Sequence, residues 1–221
     1  MSEQVNTREK ATVSPRTSPR ASAAAICIQP IGTDLVAATA FDTLARKMGY
    51  GEVLESLWRE TLWILSFDCE PGMAAGLTAS LAENTGIFVN PNTHRHAVVI
   101  PGSSIPHGRG DGREALGVIV WSHDDPQTGP VEAAVRERMG VTELTALRRM
   151  TLWWPGFLKE SMGGRPAADI ALSMVATRSR NEGLLANPHY EGWYLVESPH
   201  TPAMMLDAVG QVETRVDTPG S

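Results

Sequence analysis

Short apolar runs alternate along the chain with stretches of helical spacing, and that alternation predicts the order of elements. Ala24-Ala25-Ile26-Cys27-Ile28, closed by Pro30 and Gly32, predicts a buried strand. From about Asp34 to Met48, the residues Ala37, Ala40, Phe41, Leu44 and Met48 share one helical face, with Asp42, Arg46 and Lys47 off it. Gly49 stands where a left-handed C-terminal cap is wanted. Residues 53–67 predict extended chain, as one long bent strand or a tight pair. At its centre Leu62 and Ile64 alternate with Trp63 and Leu65, so both faces are apolar and both should be covered. A second helix over 71–84 carries Met73, Leu77 and Leu81, with Pro71 near its start. After Thr85-Gly86, the string Ile87-Phe88-Val89-Asn90-Pro91 reads as a helix exit, because the residue before proline is pushed out of helical geometry. A strand at 97–100 follows.

The same order then returns. Residues 116–121 predict a strand, and 130–139 a helix with Val131, Ala134, Val135 and Met139 inward and Gly140 as its cap. Residues 144–154 are extended, and 166–179 predict a helix with Ile170, Ala171, Met174 and Val175 inward. Leu184-Leu185-Ala186-Asn187-Pro188 reads as a second helix exit before a closing strand through Trp193, Tyr194, Leu195 and Val196. Met48-Gly49 and Met139-Gly140 are 91 residues apart, Arg59 and Arg149 are 90 apart, as are Thr61-Leu62-Trp63 and Thr151-Leu152-Trp153, and Asn90 and Asn187 are 97 apart. Matching caps, strand centres and helix stops in the same order predict an internal duplication.

Each unit of strand, helix, long or double strand, helix and strand favours an α+β arrangement with two helices on one face of a small antiparallel sheet, as in ferredoxin-like folds. The simplest cover for the bare face is the sheet of the sister unit. The expected whole is two tandem ferredoxin-like α/β sandwich units packed as an intramolecular pseudo-dimer, with all six tryptophans in strands. The domain plan that follows is a tail over 1–22, a first repeat over 23–100, a Gly/Pro/Ser-rich linker over 101–115, a second repeat over 116–197 and a C-terminal tail over 198–221.

Composition narrows the function classes. The 221 residues carry a formal charge of −6, which argues against nucleic acid or an anionic membrane as the main partner. No apolar run approaches the length of a membrane helix and no signal-peptide core is present, so a cytoplasmic location is expected. Cys27 and Cys69 lack metal-ligand spacing and read as reduced thiols.

Chemistry-bearing motifs are few. His94 and His96 would share one face of a strand, but no Cys, Asp or Glu completes a metal set nearby. His107, His123, His189 and His200 are scattered through loops. Gly108-Arg109-Gly110-Asp111-Gly112 has the glycines of a phosphate cradle without a strand before it or a helix start after it, and linker is the better reading. No catalytic residues, metal site or cofactor is expected. The candidate ligand- or partner-binding residues are Arg59, Thr61, Arg149 and Thr151, which the pseudo-twofold would bring together. Two guanidinium forks could grip an anion or a partner carboxylate; the plainer alternative is local pairing. Trp63, Trp153 and Trp154 could form a stacking wall or simply core. Asn90 and Asn187 are expected to bond their own backbone.

Two stretches of the second repeat carry a family resemblance. Asp125-Pro126-Gln127-Thr128-Gly129 is similar, with one residue inserted, to the Asp-Pro-Gln-Gly turn of PurS, the small subunit of the bacterial formylglycinamide ribonucleotide amidotransferase complex of purine synthesis. Leu184-Leu185-Ala186-Asn187-Pro188, followed by Glu191, resembles that family's Leu-Leu-Ala-Asn-Pro exit. The resemblance spans roughly 116–197 and is fainter in the first repeat. It implies a non-catalytic subunit that bridges a glutaminase to an ATP-dependent synthetase, and a fused pair that could associate further. The family's Gly-Lys in the long strand is replaced here by Arg59-Glu60-Thr61 and Arg149-Met150-Thr151. The alternative is a stand-alone small-molecule-binding or regulatory module with its ligand at the interface of the two repeats.

Overall fold

The two long strands of the chain pair with each other, and the rest of the molecule is laid out around that pair. In this computed structural model, residues 22–100, 116–158, 162–177 and 182–196 are described. The elements are β1 (Ser22–Pro30), α1 (Leu35–Asp42), β2 (Leu54–Phe67), α2 (Pro71–Asn84), β3 (His94–Val99), β4 (Gly117–Ser122), α3 (Thr128–Ala133), β5 (Leu144–Phe157), α4 (Ala167–Val175) and β6 (Glu191–Val196). The fold is α+β, with one six-stranded antiparallel sheet in the order β3-β1-β2-β5-β4-β6. The expected tails, the linker, His107 and His200 lie outside the described residues, save for Ser22 at the start of β1.

The expectation that the sheets would stack face to face is corrected. The halves join edge to edge, with Thr61 directly opposite Thr151 at the middle of the β2–β5 ladder. Both strands are 14 residues long. Stacked sheets would have left two such strands as bare edges, each with a row of unpaired backbone N–H and C=O groups, and mutual pairing satisfies them.

The order of elements repeats in each half, including a detail the sequence pattern did not suggest. α1 and α3 each run directly into a π-helical turn, over Thr43–Lys47 and Ala134–Arg138. These turns place Leu44 and Val135, both 0% exposed, in the core, and Gly49 and Gly140 follow with φ of +83° and +69° as the expected left-handed caps. α2 ends at Asn84, as expected, but α4 ends at Val175 and not at 179, and neither Asn90-Pro91 nor Asn187-Pro188 is reached directly from a helix. Leu184–Ala186 instead runs extended beside the end of α4, its N–H groups donating to the carbonyls of Met174 and Val175 that the helix leaves unpaired. The apolar residues there pack without being helical. Asn90 and Asn187 do bond their own backbone, accepting from Asn92 N and His189 N.

Helical side chains bury into two cores on one face of the sheet. One core sets α2 (Ala74, Leu81) and the π turn after α3 (Val135) over Ile26, Trp63, Leu65 and Leu147. The other sets α1 (Ala37), its π turn (Leu44) and α4 (Ile170, Met174) over Leu57, Val118 and Trp153. The first helix of each half thus packs with the second helix of the other half. The Tyr50 hydroxyl lies 3.0 Å from Ser173 Oγ across that crossing.

The opposite face is also buried, as the doubly apolar centre of β2 predicted. Its cluster of Ala25, Cys27, Leu62, Ile64, Ile119, Met150, Leu152 and Trp154 comes from strands alone among the described residues. Leu62 is 1% and Leu152 0% exposed.

Candidate functional site

The four residues expected to form a site share the helix side of the central ladder, but only the two threonines face each other. Alternation along β2 and β5 sends Arg59, Thr61 and Trp63 to that side together with Arg149, Thr151 and Trp153. Register then sets Arg59 opposite Trp153 and Arg149 opposite Trp63 around the Thr61–Thr151 pair. Both guanidinium groups have local partners. Arg59 forms a fork on Asp34, with Nε 2.8 Å from Oδ2 and Nη2 3.1 Å from Oδ1, and its guanidinium lies 5.9 Å from the Trp153 ring centre. Asp34 also caps α1, accepting from Val36 N and Ala37 N. Arg149 reaches Asp125, 3.7 Å away, while that carboxylate accepts from Gln127 N and the Thr128 hydroxyl.

Both guanidinium groups are thus engaged locally, the plainer of the two expected arrangements. Each arginine ties the long strand to the start of its own half's first helix. Trp63 and Trp153 are core residues, and Trp63 meets Phe88 edge to face with centroids 5.3 Å apart. Trp154 points to the other side of the sheet, so the three tryptophans form no common wall. His94 bonds its neighbour Thr93, and among the described residues no group of three or more His, Cys, Asp or Glu is placed to hold a metal.

The helix-free face holds a group that sequence reasoning passed over. Glu60 follows Trp58 and precedes Leu62 and Ile64 on this face, and only 3% of it is exposed. Its Oε1 accepts from the Gln29 amide, and Oε2 has no partner of hydrogen-bonding geometry among the described residues. Burial pushes Glu60 up from the ordinary carboxylate range, while the Gln29 amide and the Trp154 indole favour the charged form and offset part of that rise. Cys27 faces the same way, opposite Leu62; burial and the neighbouring Glu60 push its thiol up, so it is not a thiolate nucleophile. Both cysteines are free thiols.

Tryptophans frame the carboxyl. Trp58 lies opposite Trp154 in the next cross-strand row and is 41% exposed, which opens this end of the face to solvent. The Trp154 ring lies across Gly117, where a Cβ would come within 3.0 Å of it, and the Trp121 ring covers Gly192 in the same manner. The Trp121 indole N–H is a second buried polar group without a partner among the described residues. Burying such groups unpaired costs free energy unless something completes their bonds. The available signal was the phase of Glu60, a carboxylate at an apolar position of an alternating strand whose repeat equivalent is Met150.

Compared with protein-family models, curated proteins and solved structures, the chain matches none. Among the described residues no helix is long and apolar enough to cross a membrane.

Proposed function

We propose that the protein is a small-molecule-binding module that holds its ligand on the helix-free face of the sheet, around Glu60. The observation that carries this reading is the Oε2 of a buried carboxyl, unpartnered among the described residues, beside the apolar cluster of this face. The equivalent position in the second half, Met150, builds the same sheet without a carboxyl, so the fold does not require one. A carboxyl bonded on one side and open on the other can orient a ligand, and the surrounding rings supply apolar contact. A thermal-shift screen of the full chain tests this. A ligand at 100 times its dissociation constant adds about 2.7 kcal/mol of stability, and Glu60→Met should remove that shift while leaving a folded protein. A flat screen over charged and neutral aromatic compounds would overturn the reading.

A second reading is favoured by the internal duplication and by Asp125, which anchors the Asp-Pro-Gln turn to Arg149. On this reading each half is a ferredoxin-like unit and the chain is a fused PurS-like pair, a non-catalytic scaffold between a glutaminase and an ATP-dependent synthetase in purine synthesis. Co-purification from the native host separates it from the first. Recovery of a synthetase or glutaminase, identified by mass spectrometry, supports the scaffold, and recovery of neither removes it.

A further inference from the structure

The ligand-binding reading leaves the class of ligand open, and the inference here rests on that reading. We propose that the occupant is an organic cation, a protonated amine on an aromatic or apolar body, with its N–H turned to Glu60 Oε2 and its body against Trp58 and Trp154.

Three features of the site agree on this chemistry. First, an ionised carboxyl is an acceptor only, and the groups already aimed at Glu60, the Gln29 amide and the Trp154 indole, are both donors. The open oxygen completes that set by taking a third donor. Second, a positive donor adds Coulomb attraction that is far larger in a buried site than in water. A neutral donor leaves the carboxylate buried and uncompensated. Third, Trp58 and Trp154 form a cross-strand pair near Glu60 on the same side of the sheet, and indole rings attract cations held within about 6 Å of the ring centre. The chain's formal charge of −6 also favours approach of a cation over an anion.

Among the described residues, the groups that flank Glu60 on the neighbouring strands include no cation. β1 contributes Gln29 and Cys27, and β5 contributes Leu152, Met150 and Trp154. Among the described residues, register also sets Arg95 on β3, next to Gln29, Arg148 on β5, opposite Ile64, and Tyr194 on β6 on this face. None of these three is among the groups that set the ionisation of Glu60. Trp58, at 41% exposure, is where this side of the ladder reaches solvent.

Isothermal titration of the full-length chain with a panel of arylalkylamines led by 2-phenylethylamine, and with 2-phenylethanol and phenylacetate as neutral and anionic counterparts, tests the class. The expected result is amine binding at least tenfold tighter than either counterpart. Because the amines stay charged across pH 5–8, affinity should rise with pH as Glu60 loses its proton, and protons should be released, seen as heats that change with the buffer. Glu60→Gln should lower amine affinity at least tenfold and flatten the pH profile; the profile of the unaltered chain serves if that variant folds poorly. Alcohol or phenylacetate binding as tight as the amine, a silent amine panel, or amine affinity that falls as pH rises overturns the cation. If a neutral compound binds while the amines are silent, the module reading survives. Silence from every compound removes both.

Discussion

The two halves of this sheet solve the same structural problem with different residues at corresponding places. Aligned on the Thr61–Thr151 pair, Cys27, Gln29 and Glu60 of the first half correspond to Ile119, Trp121 and Met150 of the second. The second half fills these positions with an isoleucine, a tryptophan and a methionine, none of them ionisable at neutral pH, and Met150 is 2% exposed. The first half places a thiol, an amide and a carboxyl there, in strands of the same register and comparable burial. Fold stability alone favours the apolar set, since a buried carboxyl costs desolvation that a methionine of similar volume does not. The polar set is therefore best explained by a task of the first half that the second lacks. The helix side shows the reverse relation, since there each half carries one arginine, one aspartate and one tryptophan in matching positions.

Moving the carboxyl across the pseudo-twofold should give the largest effect. Met150→Glu places a carboxyl opposite Leu62 with no glutamine beside it, because the residue corresponding to Gln29 is Trp121. Urea unfolding at pH 7 is expected to show a loss of about 3 kcal/mol, in line with an unpaired polar group forced into a core. A loss below about 1 kcal/mol would mean that this face tolerates a carboxyl anywhere, and the argument for Glu60 would fail.

The arginines come next. Arg59 holds Asp34 with a fork of two short bonds and lies over Trp153, whereas Arg149 stands 3.7 Å from an aspartate already engaged by its own turn. Arg59→Ala should cost about 2 kcal/mol and Arg149→Ala about 0.5 kcal/mol by chemical denaturation. Equal losses would show that the differing geometry carries no energetic weight.

Giving the first half the apolar solution should act in the opposite direction. The double change Gln29→Leu with Glu60→Met removes the carboxyl together with the amide that serves it, leaving only the Trp154 indole to lose a partner, and is expected to stabilise the fold by about 1 kcal/mol at pH 7. The sign of its pH dependence is fixed by the raised folded-state value of Glu60. Well below 4.5, the ordinary value of a free glutamate, the carboxyl is protonated in both folded and unfolded chains and contributes no difference. As pH rises from there toward the folded value, the unfolded chain gives up its proton first and the native protein loses relative stability. The advantage of the double variant should thus be smallest in acid and grow with pH, as read from melting temperatures between pH 4 and 8. An advantage that shrinks with rising pH would contradict the environment assigned to Glu60.

Much of the scaffold was legible because its signals are local. Apolar spacing marked α1, α2 and α4, glycine marked the caps, and the doubly apolar run at Leu62–Leu65 announced burial on both faces, which all four residues show at 6% exposure or less. The duplication was legible through its offsets. The edge-to-edge joining was not, since local pattern reports that a face is buried and not what covers it. Nor was the early end of α4, because Leu184 to Ala186 is as apolar as a helix would need and only its backbone bonds reveal an extended path. The arginine cluster was found by its repetition, and its local pairing became visible only when the fold brought Asp34, 25 residues away, against Arg59. Glu60 was overlooked for a related reason. A single carboxylate beside Arg59 and Thr61 looks like ordinary strand decoration until alternation is followed strictly, which sets it in phase with Leu62 and Ile64.

The smallest expected effect is the one in which the halves should not differ. Gly49 and Gly140 both hold positive φ, and a Cβ at either would meet nothing within 4 Å. The cost of Gly→Ala at each is then purely conformational, the left-handed penalty of an L-residue offset in part by a stiffer unfolded chain, or about 1 kcal/mol. Because both glycines end the same kind of π turn, with Leu44 and Val135 buried alike, the two losses should agree within about 0.3 kcal/mol in urea titrations. That agreement makes the caps an internal standard. If Gly49→Ala and Gly140→Ala differ by more than the two arginine variants do, the halves differ in backbone rigidity as a whole, and the contrast between Glu60 and Met150 would have to be measured against that background. If they agree, the backbones of the two halves are equivalent and the asymmetry of the molecule lies in its side chains, Glu60 against Met150 on one face and Arg59 against Arg149 on the other.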